Sequence, residues 1–109
     1  MWAAAGRPRF WYHGGMKAAT AGEAKKLLDI PNIGQAMVRD FALLGITKPT
    51  DLQGNDPFRL YQKMCKLSKT RQDPCVLDTY MAAIDFMDGA PARPWWYYTA
   101  SRKMQYPDL

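Results

Sequence analysis

Apolar residues recur at helical spacing along most of the chain, and no useful stretch alternates apolar and polar residues as a half-buried strand would. Four segments carry the helical pattern, and they predict helices over residues 21–29, 35–44, 57–68 and 74–88. One further helical turn is expected around Pro49–Leu52. These elements predict an all-α fold, a small single-domain bundle of about four main helices.

Turn and capping residues mark several of the expected helix ends. The pairs Asp56-Pro57 and Asp73-Pro74 each place a carboxylate at an N-cap and a proline at the first helical position. Proline is tolerated there because the N–H that it lacks has no partner within the helix. Gly45 follows the second predicted helix in the manner of a C′ glycine.

Length and composition indicate one folded domain with two distinct ends. At 109 residues the chain is long enough for one modest core. We expect residues 1–20 to be a flexible N-terminal tail, residues 21–90 the folded domain, and residues 91–109 an aromatic, basic C-terminal segment. The stretch from Met16 resembles a protein start more than the residues before it, and one hypothesis is that translation begins there.

The sequence Ile30-Pro31-Asn32-Ile33-Gly34 interrupts the helical pattern between the first two predicted helices. The spacing hydrophobic-Pro-x-hydrophobic-Gly between two short helices is typical of a helix-hairpin-helix. Such a turn directs the unpaired N–H groups of the following helix outward, where they suit a phosphate oxygen. Gly34 would allow close approach of a polyanion, and Asn32 tolerates a positive φ while placing a side chain near the phosphate. A plain turn in a small bundle is the alternative.

The basic residues are concentrated in two parts of the chain. The formal net charge is +5, with an excess of bases in residues 1–21 and in residues 56–73. The bases of the second part are Arg59, Lys63, Lys66, Lys69 and Arg71. The first three of them recur at i, i+4 and i+7, so they form a stripe on one helix face. Such a stripe suits the phosphate backbone of a nucleic acid, and a merely solvated helix face explains it equally well.

Two cysteines, Cys65 and Cys75, fit a reduced thiol pair better than a disulfide framework. Cys65 falls among apolar residues and is expected in the core, whereas Cys75 lies in the first turn of a helix, where the dipole lowers the pKa of a thiol. A redox role for Cys75 is the alternative. No stretch approaches the roughly 20 apolar residues of a membrane span. We expect a cytoplasmic protein without a membrane partner.

Most aromatic residues lie outside the predicted helices. They are Trp2, Phe10, Trp11 and Tyr12 near the N-terminus and Trp95, Trp96, Tyr97, Tyr98 and Tyr106 near the C-terminus. The C-terminal group is interleaved with bases, including Arg93, Arg102 and Lys103. Aromatic and basic side chains together can stack on unpaired bases. Alternatively, Trp95 or Trp96 folds back to close the small core.

Catalytic and metal-binding patterns are not evident in the sequence. The single histidine, His13, lies in the N-terminal tail, and no nucleophile–base pair can be identified from spacing. Asp78, Asp85 and Asp88 fall on one predicted helix and are interpreted as its polar face. We therefore expect no enzymatic activity, no cofactor and no metal.

A family resemblance follows from the longer motifs "LLDIPNIGQAMVRDFALLGITKPTDL", "DPFRLYQKMCKLSKTRQDPCVLDTYMAAIDFMDG" and "PWWYYT". Over about residues 22–100 the chain closely resembles the bacterial pathogenicity-locus family of small helix-hairpin-helix proteins. It also looks similar to mitomycin-resistance-type proteins, and the hairpin alone resembles the C-terminal domain of the competence regulator TfoX. The resemblance implies a DNA-binding role, with DNA repair or damage resistance as its setting.

These observations predict a protein that binds the DNA backbone, duplex or single-stranded, without sequence specificity. The residues expected to carry binding are Asn32, Ile33, Gly34, Gln35, Arg39, Lys63, Lys66, Lys69 and Arg71. The alternative is an adaptor that uses the same fold and its aromatic C-terminus to bind another protein, without binding DNA. Salt dependence separates the two, because phosphate binding weakens steeply as salt rises.

Overall fold

The computed structural model describes residues 17–109, which contain helices and turns and no strand. Four α-helices form the framework: α1 spans Gln35–Leu43, α2 Pro57–Ser68, α3 Pro74–Met87 and α4 Thr99–Gln105. Four 3₁₀ turns lie at Ala21–Glu23, Leu27–Asp29, Pro49–Leu52 and Trp95–Tyr98. The expected all-α, single-domain fold is confirmed. The hypothesis of a start at Met16, His13 and the N-terminal aromatic residues lie outside the described residues.

The predicted starts of α2 and α3 are confirmed by their caps. The Asp56 carboxylate accepts a hydrogen bond from the Phe58 amide at 3.0 Å, before the proline that opens α2. The Asp73 carboxylate accepts one from the Cys75 amide at 2.9 Å, at the start of α3. Each cap satisfies one of the N–H groups that a helix start leaves without a partner.

The end of α1 has the geometry of a Schellman motif. Gly45 adopts a φ of 83°, a conformation that costs glycine little. Its amide donates to the carbonyl of Ala42 at 3.1 Å, and the amide of Ile46 donates to that of Phe41 at 2.8 Å. The Ile46 side chain is buried, so the chain folds back onto the helix as the sequence predicts.

The helix predicted over residues 21–29 is wrong. Two 3₁₀ turns stand in its place, and Lys26 between them is extended, with a φ of −139°. The cause is Asp29, whose carboxylate accepts hydrogen bonds from the amides of Lys25 and Lys26 at 2.9 and 3.1 Å. Those two amides are thereby withdrawn from helical bonding, because a local side-chain acceptor competes with the helix. The turn over residues 30–34 therefore follows a 3₁₀ turn and not a regular helix.

The core gathers around α3, which contacts α2, the Pro49–Leu52 turn, the Trp95–Tyr98 turn and α4. The rings of Phe41 in α1 and Tyr80 in α3 are both fully buried, with centroids 5.4 Å apart. Lys17 and Ala18 are also buried, and the Ala18 amide donates to the Asp29 carbonyl at 2.8 Å. Packing against the core therefore includes residues before residue 21. The predicted division into residues 1–20, 21–90 and 91–109 stays a prediction.

The interpretation of the α3 aspartates as a polar face is wrong for Asp78. Its carboxylate is fully buried and forms a bidentate pair with Arg102 of α4, at 2.9 Å from Nε and 3.3 Å from Nη2. The Thr99 hydroxyl donates to the same carboxylate at 2.7 Å. About two turns further along α3, Asp85 accepts a hydrogen bond from the Tyr98 hydroxyl at 2.7 Å. These bonds fix the aromatic, basic C-terminal segment to α3.

Candidate nucleic-acid interface

The turn from Ile30 to Gly34, here called the hairpin turn, is anchored by its apolar residues. Ile30, Pro31 and Ile33 are buried, and the Ile33 amide donates to the Ile30 carbonyl at 3.2 Å. Asn32 has a φ of 75°, which confirms that asparagine here takes a left-handed conformation. Gly34 has φ −111° and ψ −174°, extended backbone that any residue adopts. Gly34 is therefore not required for its backbone angles.

The N-terminus of α1 presents amide groups at the surface. Gly34 is the N-cap, and glycine has no side chain with which to cap the helix. Among residues 17–109, the amides of Gly34, Gln35 and Ala36 have no hydrogen-bond acceptor, and the Val38 amide is the first to bond back, to the Gly34 carbonyl at 3.1 Å. Gln35 and Ala36 are exposed. These donors and the positive end of the helix dipole suit an anion.

The side chain of Asn32 does not point to a phosphate site, contrary to the expectation from sequence. Its Nδ2 donates to the Arg93 carbonyl at 2.8 Å, and its Oδ1 accepts from the Trp95 amide at 3.2 Å. Asn32 thus links the hairpin turn to the C-terminal segment. Ile33 is fully buried, so it offers no accessible surface to a ligand at the turn.

Lys17 is a buried charge beneath the hairpin turn that sequence reasoning missed. Its Nζ donates to the Ile33 carbonyl at 2.6 Å and to the Leu28 carbonyl. Burial lowers the pKa of Lys17, and the nearby Asp29 carboxylate opposes that shift. The ammonium group holds the two sides of the turn together through their carbonyls. Its apolar neighbours in sequence gave no signal of this role.

The basic residues of α2 lie on its exposed face, as their spacing predicts. Arg59, Lys63 and Lys66 are exposed, whereas Leu60 and Met64 between them are buried. Lys69 and Arg71 continue the exposed bases into the loop before α3. Within residues 17–109, none of these five bases forms an ion pair with a carboxylate. We call these five residues the basic stripe.

The far end of the basic stripe borders a pocket with a volume of about 580 Å³. Lys66, Lys69 and Arg71 come together there. The other lining residues are Phe58, Tyr61, Gln62, Cys65, Thr70 and Leu109. The aromatic and aliphatic part of this lining was not predicted from sequence. It includes Leu109, which is far away in sequence from the other lining residues, all of which lie within residues 58–71.

The hairpin turn leads into α1 and the basic stripe begins on α2, and these two helices contact each other. Arg39 is exposed one helical turn after Gln35, so it lies on the same side of α1 as that residue. Within residues 17–109, no hydrogen bond joins the candidate residues of α1 to those of α2. The structure thus divides the nine predicted residues among the hairpin turn, the helix α1 and the basic stripe, whose last three members border the pocket.

The cysteine chemistry expected from sequence is corrected for Cys75. Burial, followed by the neighbouring Asp73 carboxylate, raises the pKa of the Cys75 thiol to about 11, so the expected lowering by the helix dipole is wrong. Cys65 is half-buried, and its Sγ accepts a hydrogen bond from the Gln72 amide at 3.3 Å. In the described part of the chain, no three His, Cys, Asp or Glu side chains are grouped closely enough to hold a metal ion.

The aromatic C-terminal segment folds back onto the domain. Pro94, Tyr98 and Arg102 are its buried residues, whereas Trp95 is half-buried and packs edge-on against Trp96 at 5.6 Å between ring centroids. Trp96 and Tyr97 are 40% and 56% exposed. The core is therefore closed chiefly by the residues that flank the tryptophans.

The bases expected to accompany these aromatic residues are partly occupied. Arg93 lies over the Tyr97 ring at 4.5 Å and pairs with Asp85 at 3.5 Å. Arg102 is buried against Asp78, so it is not available for stacking on a base. No helix within residues 17–109 is long and apolar enough to cross a membrane.

Comparison with known proteins supports the resemblance found in the sequence. The mitomycin resistance protein McrB of Streptomyces lavendulae is 43% identical over 84 residues, which cover 77% of this chain and 80% of that protein. No solved structure matches the chain significantly. The similarity of the hairpin to TfoX stays a prediction. A family model described as Cdd1, pathogenicity locus, matches residues 20–104, and the chain therefore belongs to the pathogenicity-locus family.

Proposed function

We propose that this protein binds the sugar-phosphate backbone of DNA without sequence specificity and thereby contributes to resistance against DNA damage. The observation that carries the proposal is the basic stripe. Its five exposed bases have no carboxylate partner in the described part of the chain. Lysine and arginine side chains spaced along one helix face neutralise phosphates without reading bases, which accounts for binding without specificity.

The hairpin turn supplies a second contact in this proposal. The exposed amides that begin α1 suit one phosphate oxygen, and Arg39 lies one turn further along the same helix. Phosphate bound at such amides is held in a fixed direction, because N–H groups are directional donors. The turn would therefore orient the backbone, and the basic stripe would supply most of the affinity.

The setting of damage resistance comes from the relative named as a mitomycin resistance protein. The proposal treats the chain as a binding protein and not as an enzyme. It also places the chain in the cytoplasm, where two free cysteines such as Cys65 and Cys75 remain reduced. Exposed Trp96 and Tyr97 favour the adaptor as the second candidate, with another protein as the partner.

The test measures the association constant for short duplex DNA by fluorescence anisotropy at a series of salt concentrations. If phosphates are bound, the logarithm of the association constant falls with that of salt by about 0.9 per neutralised phosphate. The double variant Arg59→Ala with Lys63→Ala should reduce this slope by about 1.8. The control is the double variant Lys25→Ala with Lys26→Ala, which removes two positive charges from exposed positions outside the basic stripe. This variant should leave the slope nearly unchanged.

The contribution of the hairpin turn is tested by Gly34→Ala. Alanine adopts the observed backbone angles without strain, so the free energy of unfolding should fall by no more than about 1 kcal/mol. Its methyl group adjoins the exposed amides and should weaken DNA binding. Gly22→Ala is the matched control, because Gly22 is exposed and nothing lies within 4 Å of an added Cβ. Absence of DNA binding even at low salt would refute the proposal and leave the adaptor.

A further inference from the structure

The pocket beside α2 combines an apolar wall with a basic rim. Phe58, Tyr61, Cys65 and Leu109 form the wall. Lys66, Lys69 and Arg71 form the rim, and the remaining lining residues, Gln62 and Thr70, are uncharged. No carboxylate side chain of the described residues lines the pocket. A ligand that fits this lining carries negative charge at one end and a flat or apolar group at the other.

The wall is built from stacked aromatic rings. The ring of Phe58 stacks on that of Tyr106, with centroids 4.1 Å apart and planes 9° apart, and Tyr61 lies near-parallel to Phe58 at 6.4 Å. The Tyr61 hydroxyl is held by the Gln72 carbonyl, to which it donates. These contacts fix the aromatic side chains in place before any ligand arrives. Tyr61 is buried and Tyr106 covers one face of Phe58, so the half-buried Phe58 provides the accessible aromatic surface of the wall. A surface that is fixed in advance binds an apolar group with little loss of side-chain entropy.

Lys69 occupies a backbone conformation that lysine rarely adopts. It has a φ of 57° at the C-terminus of α2, where glycine is the usual residue. The Lys69 amide donates to the Lys66 carbonyl and the Thr70 amide to the Cys65 carbonyl, both at 3.2 Å, so the turn itself needs no lysine side chain. A strained non-glycine residue at the rim of a pocket is a recognised mark of a functional position.

We infer that this pocket binds one nucleotide unit, with the base against the apolar wall at Phe58 and the phosphate against Lys66, Lys69 and Arg71. The inference rests on the proposed function for the choice of a nucleotide among aromatic anions. The volume of about 580 Å³ lies within the range of pockets that hold small molecules. A base paired within a duplex is stacked between its neighbours, so the pocket favours an unpaired nucleotide, free or in a single strand.

The test measures three ligands by calorimetry and fluorescence anisotropy: thymidine 5′-monophosphate, a thymidine oligonucleotide and a short duplex. The mononucleotide arm reports on the pocket with a free ligand, and the oligonucleotide arm reports on it within a strand. Inorganic phosphate serves as the anion without a base. We expect the mononucleotide to bind more tightly than inorganic phosphate, and the single strand to compete with it.

The central variant is Lys69→Gly. Glycine relieves the positive φ, so the melting temperature should rise, whereas loss of one charged contact should weaken the mononucleotide about tenfold. Opposite changes in stability and affinity cannot arise from a merely structural role. Lys25→Ala is the charge-matched control, because Lys25 is exposed, lies outside the basic stripe and does not line the pocket, so mononucleotide affinity should stay unchanged.

The outcomes separate the inference from the proposed function. If polynucleotides bind but the mononucleotide does not, or if inorganic phosphate binds as tightly as the mononucleotide, the pocket inference fails and backbone binding stands. If Lys69→Gly leaves the mononucleotide affinity unchanged, the inference also fails. If the mononucleotide binds through Lys69 but no polynucleotide binds at low salt, the pocket stands and the proposed function fails.

Discussion

Two non-glycine residues among residues 17–109 have a positive φ, Asn32 at 75° and Lys69 at 57°. Asparagine is enriched in this conformation, so the position of Asn32 after a proline in a tight turn made its angle predictable from sequence. Lysine has no such preference, and nothing in the neighbouring sequence indicated the angle at Lys69. The two residues also differ in use, because Asn32 bonds within the protein and Lys69 faces a pocket.

At Asn32 the structure reverses the effect expected of Asn32→Gly. From sequence alone the change to glycine, the more usual residue at this position of such hairpins, is expected to be tolerated and to tighten DNA binding, because it removes a side chain near the phosphate. In the structure it removes two hydrogen bonds to the C-terminal segment, each contributing about 0.5–1.5 kcal/mol. Glycine tolerates the backbone angle, so we expect a loss of about 1–2 kcal/mol in the free energy of unfolding, measured with urea.

Asn32→Asp is the informative comparison. Its carboxylate can still accept from the Trp95 amide, but its second oxygen would face the Arg93 carbonyl, which requires a donor. The aspartate variant should therefore be less stable than the glycine variant at neutral pH and should recover as its carboxyl is protonated in acid. Equal stability of the glycine variant and the parent would show that these bonds contribute nothing.

At the scale of elements, the N-terminal ends of α2 and α3 were predictable because their sequence signals are local. Asp56 and Asp73 lie directly before the helices that they cap, and each carboxylate accepts a hydrogen bond from the amide two residues further along the chain. The segment over residues 21–29 failed for a related reason. Asp29 bonds backward to Lys25 and Lys26, and helical spacing of apolar residues does not reveal which local acceptor takes an amide.

The same backward bonding recurs before the Pro49–Leu52 turn. There the Asp51 carboxylate accepts from the amides of Thr47 and Lys48, at 3.0 and 3.3 Å. Asp29 and Asp51 each close a short 3₁₀ turn. Backbone hydrogen bonds lower the pKa of both carboxyls, which shows that the bonds favour the charged form. A lysine three residues before an aspartate is thus the shared sequence feature of these two turns.

Between elements, the buried pair of Asp78 and Arg102 should dominate the docking of α4 on α3. Asp78→Asn leaves the Arg102 charge buried without its partner, and we expect a loss of about 3–5 kcal/mol in the free energy of unfolding. The apolar double variant Asp78→Leu with Arg102→Met removes both charges and should be more stable than Asp78→Asn. Denaturant unfolding of the three proteins measures both effects.

Asp85→Asn serves as the control for that comparison. Its ion pair with Arg93 is longer, at 3.5 Å, and both side chains are partly exposed, so its loss should cost about 1 kcal/mol or less. The asparagine carbonyl remains available to the Tyr98 hydroxyl. A loss at Asp85 as large as that at Asp78 would contradict the assignment of docking energy to the buried pair.

At the scale of the whole molecule, local patterns predicted α1, α2 and α3, but they predicted neither α4 nor how the ends of the chain join the core. The Asp78–Arg102 pair spans 24 residues, and the Asn32 bonds to the C-terminal segment span 61 and 63. The periodicity of apolar residues carries no information about contacts between residues so far apart in sequence. For this reason Asp78 was predicted to lie on the surface and the Asn32 side chain to lie near a phosphate. The basic stripe was found because all its members lie within one helix and the loop that follows it.

Hydrogen exchange can test whether α4 and the core open as one unit. Interior amides of α3, such as those of Ala83 and Ile84, lie in the most buried helix and should exchange only through global unfolding. Separation of α4 from α3 would leave Asp78 without its buried partner, so α4 amides such as that of Lys103 should be nearly as slow. The exposed amides of Gln35 and Ala36, without an acceptor among residues 17–109, should exchange fastest.

Arg102→Met makes the comparison decisive, because it removes the ion pair while keeping an apolar side chain of similar length at the α3–α4 contact. In this variant the α4 amides should exchange much faster than those of α3, since α4 can then separate before the core unfolds. The amides of Gln35 and Ala36 should be unaffected, because their exchange requires no opening. Fast exchange of α4 in the unmodified protein would instead show that the C-terminal segment opens independently, and that the bonds of Asp78 do not hold it to the core.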